Sequence, residues 1–323
     1  MGRAEDFETI INLVGSDVAQ IVDTQNGWPG LAKVKVVDEW VDVSIFAAPV
    51  SLSNRNRDAT ERRFQNPGQD RPILIPPNTT PLLIGLWHSD PLATVNQPVL
   101  VLADAALRVG RLTRYSIFLH LESLNTSANQ GWCQRENTSG EMIQYFWPAY
   151  LPAIAGALSI DGRLPSKIAE AFLAPVDLAE PTPAERTYAV TLRIVRSTRF
   201  ARDVRLAYDG RCAMCGVGMD LCEAAHILQV AADGPDEIAN GVYLCRNHHA
   251  AFDRHQIWVD PSSRAIMYDL SKTDTHTHED VAFIASTFAH LAEPSDPRLR
   301  PASHFFVSRY SSSDGAYDWV DNG

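Results

Sequence analysis

Between Arg211 and Asp253 the chain places four cysteines and three histidines within 43 residues. Cys212 and Cys215 are separated by two residues, and so are Cys245 and His248. Two such knuckles let four ligands converge on one ion, and thiolate with imidazole is the set zinc favours. A structural zinc supplies on the order of 10 kcal/mol to a small fold, which suits a region with few large apolar residues. Cys222 lacks a partner at knuckle spacing. It reads as a core thiol, with exchange into the zinc set as the alternative.

A second set lies beside the first. His249 and Asp253 are four residues apart, so on a helix they share a face. His248 is turned about 100° away from His249. The adjacent histidines can therefore serve different ions. His226 ends a short β-compatible run that begins at Glu223. A polar loop over 232–239 leads to Asn240-Gly241, a strong turn dipeptide. Val242–Leu244 reads as a second strand and Asn247–Arg254 as a helix. The expected unit is two strands and a helix pinned by zinc.

These residues resemble the HNH nucleases of the ββα-metal class, and their flanks resemble the McrA-type restriction endonucleases. The resemblance covers roughly residues 199–260. It implies that His226 is the general base that takes a proton from the attacking water. Asn240 would brace the loop and hold the His226 imidazole by a backbone contact. His249 and Asp253 would bind one divalent ion, Mg²⁺ or another, to polarise the scissile phosphate and stabilise the leaving 3′ oxygen. Products would carry 5′-phosphate and 3′-hydroxyl ends. The family places a metal ligand directly before the base, where this chain has Ala225. Residue 223 shares a strand face with residue 225. Glu223 is therefore either a substitute ligand or a surface acid.

The elements that position this chemistry can be read more coarsely. At 323 residues the chain has room for two domains. Residues 5–22 show helical apolar spacing. Strand signals follow at 32–38, 40–47, 81–87, 98–103 and 114–120. Residues 148–173 look mainly helical, with a break at Asp161-Gly162. The proline-rich stretch 174–186 reads as a linker. Residues 186–208 begin as a strand signal and become a helix with Phe200, Val204 and Tyr208 on one face. A hairpin at 256–269, a helix at 278–292 and a polar, frayed tail at 311–323 complete the expectation. The fold class is thus α+β. A β-rich recognition domain (1–173) precedes a zinc-stabilised ββα-metal nuclease domain (187–310).

Net charge is −11, which argues against nonspecific coating of nucleic acid. Residues 186–211 reverse this locally, with seven arginines against two acids, a net +5. Arg196, Arg199, Arg202, Arg211 and Arg246 are candidate phosphate contacts. In the N-terminal half, residues 53–68 are dense in Arg, Asn and Gln, which contact phosphates and base edges. Arg55, Arg57, Arg62 and Arg63 are the candidates there. Tyr145, Phe146 and Trp147 are candidate walls for a flipped or modified base, with core packing as the alternative. The absence of a signal peptide, of a membrane span and of paired cysteines points to the cytoplasm.

The expected protein is a DNA endonuclease of restriction or phage defence. Its N-terminal domain would choose double-stranded DNA, a modified base being one candidate mark. β-rich domains before a C-terminal HNH module occur among modification-dependent restriction enzymes. One such centre cuts one strand, so a double-strand break implies a homodimer or two binding events. The rivals are a type II enzyme reading unmodified sequence, a zinc-containing DNA-binding protein with a dead centre, and a protein whose arginines before the cluster serve RNA.

Overall fold

A computed structural model describes residues 2–53, 58–68, 71–88, 90–165, 168–176, 179–272 and 277–320. The chain divides into two compact units, Met1–Val195 and Arg196–Gly323.

The first unit opens with helix α1 (Arg3–Val14) and continues through ten strands. These are β1 (Ala19–Asp23), β2 (Gly30–Val36), β3 (Glu39–Pro49), β4 (Ser51–Leu52), β5 (Glu61–Gln65), β6 (Thr80–Trp87), β7 (Val99–Ala103), β8 (Ser116–His120), β9 (Trp132–Glu136) and β10 (Met142–Phe146). Helix α2 (Leu121–Gln130) lies between β8 and β9, and α3 (Leu151–Asp161) and α4 (Ile168–Leu173) follow β10. Seven strands form one sheet in the order β1-β2-β3-β6-β7-β10-β9, and β4-β5-β8 form a second. In the large sheet β3 and β6 run parallel while the other pairs are antiparallel.

The central strands are buried on both faces, which is why 80–87 and 99–103 read as nearly continuous apolar runs. Alternate residues serve different cores. Ile45, Leu82, Ile84, Leu100 and Leu102 join the cluster that includes α1 and α3. Phe46, Leu83, Trp87, Val99 and Val101 join the cluster that includes Phe64 and Ile117 of the small sheet. Gly85 allows this second contact, because a Cβ there would stand 2.7 Å from the Phe64 ring.

The expected helix over 5–22 ends at Val14. Gly15 turns the chain at φ +103°, and residues 19–23 become an edge strand despite their helical spacing. The division between units falls inside helix α5 (Pro183–Ala207), not at the proline-rich stretch. Residues 186–208 carry no strand.

The second unit contains β11 (Cys222–His226), β12 (Gly241–Cys245), α6 (Arg246–Asp253), the hairpin β13 (Ile257–Val259) and β14 (Ile266–Tyr268), α7 (His278–Ala285) and α8 (Ser303–Ser312). Its core includes Phe200 and Val204 of α5, Ala225 of β11, Val242 and Leu244 of β12, Phe252 of α6 and Phe306 of α8. Residues 313–320 are not a frayed tail throughout. Tyr317 is buried, and its hydroxyl accepts from Arg309 Nε at 2.6 Å and pairs with His255 Nδ1 at 3.0 Å. Among the described residues no helix is long and apolar enough to cross a membrane.

Candidate active site

The two knuckles meet. One ligand atom from each of Cys212, Cys215, Cys245 and His248 lies within 4.8 Å of the other three. Zinc–sulfur bonds of about 2.3 Å in a tetrahedron put ligand atoms roughly 3.8 Å apart, so the set fits one zinc ion. Among the described residues this is the one group of His, Cys, Asp and Glu that converges so tightly. His248 Nδ1 faces the sulfurs, 3.1 Å from Cys245 Sγ and 3.6 Å from Cys212 Sγ. Its Nε2 bonds Thr287 Oγ1 at 3.0 Å, which in turn bonds the Tyr268 hydroxyl at 2.8 Å. A partner on Nε2 orients the ring and leaves Nδ1 for a metal. A hydrogen bond from Cys245 holds the Cys212 thiol below its usual range. That contact and burial push Cys245 up to about 11.

Cys222 stays outside the set. Its thiol donates to Val217 O at 3.2 Å, and burial pushes it up to about 11. It is a core thiol.

On α6, His249 is turned away from the Cys₃His set. Its Nε2 lies 3.3 Å from Asp253 Oδ2, one turn on, and its Nδ1 lies 3.7 Å from Glu223 Oε2. The two carboxylates therefore flank opposite edges of one imidazole. The Nε2 edge, with Asp253 beside it, offers one imidazole nitrogen and one hard carboxylate, which would suit a divalent ion that keeps several waters, while Glu223 lies at the other edge. Glu223 also pairs with Arg246 at 3.3 Å. Ala225 is fully buried in the core and offers no ligand atom, while Glu223 lies beside His249 of α6.

His226 pairs with Gly241 across the ribbon. A Cβ on Gly241 would stand 2.3 Å from Val204, so glycine lets α5 cross here. The crossing stacks Phe200 on the His226 imidazole, with centroids 4.0 Å apart and planes 12° off parallel. His226 Nε2 lies 2.9 Å from Asp236 Oδ1. The His226 side chain remains 20% exposed, enough to meet a solvent molecule.

Asn240 is fully buried and braces the intervening loop. Its Oδ1 accepts from Leu228 N at 2.8 Å, and its Nδ2 donates to Leu228 O and Pro235 O at 3.0 and 2.9 Å. Its backbone carbonyl accepts from Ile227 N at 2.8 Å. The backbone contact expected between Asn240 and the His226 imidazole is not made. Among the described residues the ring's hydrogen-bond partner is Asp236.

Residues 212–260 match the family described as HNH endonuclease. This segment is an HNH endonuclease domain. The HNH match spans both knuckles, β11, β12, α6 and β13. In the first unit, residues 41–154 match the family described as Methylase-associated X1. No curated protein matches the chain. A solved structure titled "Modification dependent TagI restriction endonuclease" is similar at 13% identity and a TM-score of 0.36, covering 85% of each chain.

Around the HNH domain the candidate arginines fare differently. Arg196, Arg199, Arg211 and Arg246 are exposed, and Arg202 is half-exposed and paired with Asp203 at 2.6 Å. In the first unit Arg62 is 0% exposed, which removes it from the phosphate contacts. It donates through Nε and Nη2 to Asp90 at 2.5 and 3.0 Å, and Trp87 Nε1 donates to the same carboxylate. Arg63 is half-buried, and Arg55 and Arg57 lie outside the described residues. Tyr145 and Phe146 belong to the core. Trp147 stacks on Tyr150 and donates to Ala128 O, so the three do not wall an open base pocket.

Two side chains that the fold brings to the candidate site carry no sequence signal. Asp236 is a lone acid in a polar loop. Arg309 is 1% exposed and donates to Ile227 O at 2.9 Å and Phe252 O at 2.5 Å. It thereby ties the residue after His226 to the residue before Asp253.

Proposed function

We propose that the protein is a restriction endonuclease that hydrolyses double-stranded DNA in phage defence, in the cytoplasm. One observation carries this reading: a single ββα unit holds a Cys₃His set, a His249–carboxylate set and an oriented His226. The first fits Zn²⁺ and holds the unit together. The second fits Mg²⁺ or a similar ion, which would supply charge for the leaving 3′ oxygen. His226 accepts the proton of the attacking water. The products are a 5′-phosphate and a 3′-hydroxyl.

The exposed Arg196, Arg199, Arg211 and Arg246 supply phosphate contacts. The Methylase-associated X1 match supports a setting in which base modification decides what is cut. The first unit is then the reader and the HNH domain the cutter. One HNH centre cuts one strand per event, so a double-strand break requires a homodimer or two binding events.

The test is a cleavage panel with Mg²⁺ or Mn²⁺ on otherwise identical DNA: unmodified, methylated, hydroxymethylated, glucosylated and phosphorothioated. One modified form cut in preference is the expected result. Equal cutting of unmodified DNA would favour a type II enzyme instead, and failure on every DNA would count against the nuclease reading.

A further inference from the structure

We propose that Asp236 is a positioning residue for the general base: it keeps the proton of His226 on Nε2, so that Nδ1 takes the proton from the attacking water. The inference rests on the reading of His226 as that base.

Three observations converge on it. The first is the contact itself, a carboxylate oxygen 2.9 Å from Nε2. An ionised carboxylate only accepts hydrogen bonds, so Nε2 must carry the hydrogen. Nδ1 then holds the lone pair, and it has no hydrogen-bond partner among the described residues. The second is the Phe200 ring, stacked 4.0 Å from the imidazole, which fixes the ring plane while Asp236 fixes its rotation. The third is the construction of the loop that carries Asp236. Asn240 Nδ2 binds the carbonyl of Pro235, the residue before Asp236. Gly234 makes the bend, since a Cβ there would stand 1.8 Å from Leu228 O. Gly234 N closes it on Gln229 O at 3.0 Å. Asn240 thus reaches the imidazole through Pro235 and Asp236.

The proton balance follows. As the water oxygen bonds to phosphorus, its O–H bond breaks and the proton moves to His226 Nδ1. The P–O3′ bond breaks and its electron pair goes to the 3′ oxygen, which takes a proton from solvent. The imidazolium so formed is stabilised by Asp236 until Nδ1 releases its proton. This is the carboxylate–histidine logic by which a second group sets tautomer and orientation.

The test uses full-length, zinc-loaded protein. Nitrogen-15 NMR of the imidazoles, without Mg²⁺, assigns the His226 tautomer by the signals lost in His226→Ala. The wild type is expected to show protonated Nε2 and bare Nδ1, and Asp236→Ala to lose that preference. In cleavage assays Asp236→Ala is expected to lower kcat by about 10²-fold with KM unchanged. Asp236→Asn, whose amide oxygen still accepts from Nε2–H, should recover part of it. A wild-type ring protonated on Nδ1, or Asp236→Ala with kcat within about twofold of wild type, would overturn the proposal. If His226→Ala is itself fully active, the general-base reading fails. If His226→Ala is inactive and Asp236→Ala is not impaired, only the role of Asp236 fails.

Discussion

His248 and His249 are neighbours on one helix, yet their imidazoles turn to different partners. His248 Nδ1 sits 3.1 Å from Cys245 Sγ, and His249 Nε2 sits 3.3 Å from Asp253 Oδ2. The rotation of about 100° per helical residue is what turns the two rings to different partners. The pair therefore predicts two different losses. His248→Ala should release zinc and unfold the second unit, removing on the order of 10 kcal/mol of metal-linked stability. His249→Ala should keep its zinc, measured by metal analysis, and lose Mg²⁺-dependent cleavage. Equal zinc loss in both variants would show that the histidines are not divided this way.

Glu223 stands on the far edge of His249 from Asp253. Whether it reaches the ion or orients the ring, removing its charge should weaken ion binding. Glu223→Gln is expected to raise the Mg²⁺ concentration for half-maximal cleavage by about 10-fold. An unchanged Mg²⁺ titration would exclude Glu223 from the metal site.

Asn240 satisfies Leu228 N, Leu228 O and Pro235 O from a fully buried position. Asn240→Ala leaves these groups without their partner. A loss of about 2–4 kcal/mol in chemical denaturation is expected. Cleavage should fall with it, because the loop carrying Asp236 is no longer held.

Arg62 and Asp90 give a prediction about pH. The Arg62 hydrogen bond, opposed by burial, lowers the Asp90 carboxyl from 3.8 to about 2. A depressed carboxylate stabilises the fold above its unfolded value and loses that contribution as pH falls through the folded value. The shift corresponds to roughly 2 kcal/mol. Wild type should therefore lose stability between about pH 4 and pH 2. In Asp90→Asn that part of the slope should be absent, and the variant should be less stable at neutral pH because Arg62 is left buried and unpaired. Thermal melts across that range decide it; parallel pH profiles would contradict the account.

Much of the HNH domain is legible in the sequence because its ligands lie close along the chain, at spacings set by knuckle and helix geometry. The strands at 80–87 and 99–103 are legible for another reason, since burial on both faces leaves an apolar run. What escapes depends on distant partners. Arg62 looks like a surface arginine until Asp90, 28 residues on, closes over it. Helix α2 is hidden by its serines and asparagines, which are weak helix formers, and β9 by Gln134, Arg135 and Glu136. Gly15 ends α1 where the apolar period continues. Asp236 and Arg309 have no spacing relation to His226, and only the folded loop and α8 bring them to it.

The most direct test of the central claim compares wild type with His226→Ala, both zinc-loaded, on the DNA cut best in the panel and with Mg²⁺. Wild type is expected to cut and to leave 5′-phosphate ends. The variant is expected to retain its zinc and its melting temperature while cleavage falls by about 10²–10⁴-fold. Cleavage by His226→Ala at the wild-type rate would contradict it.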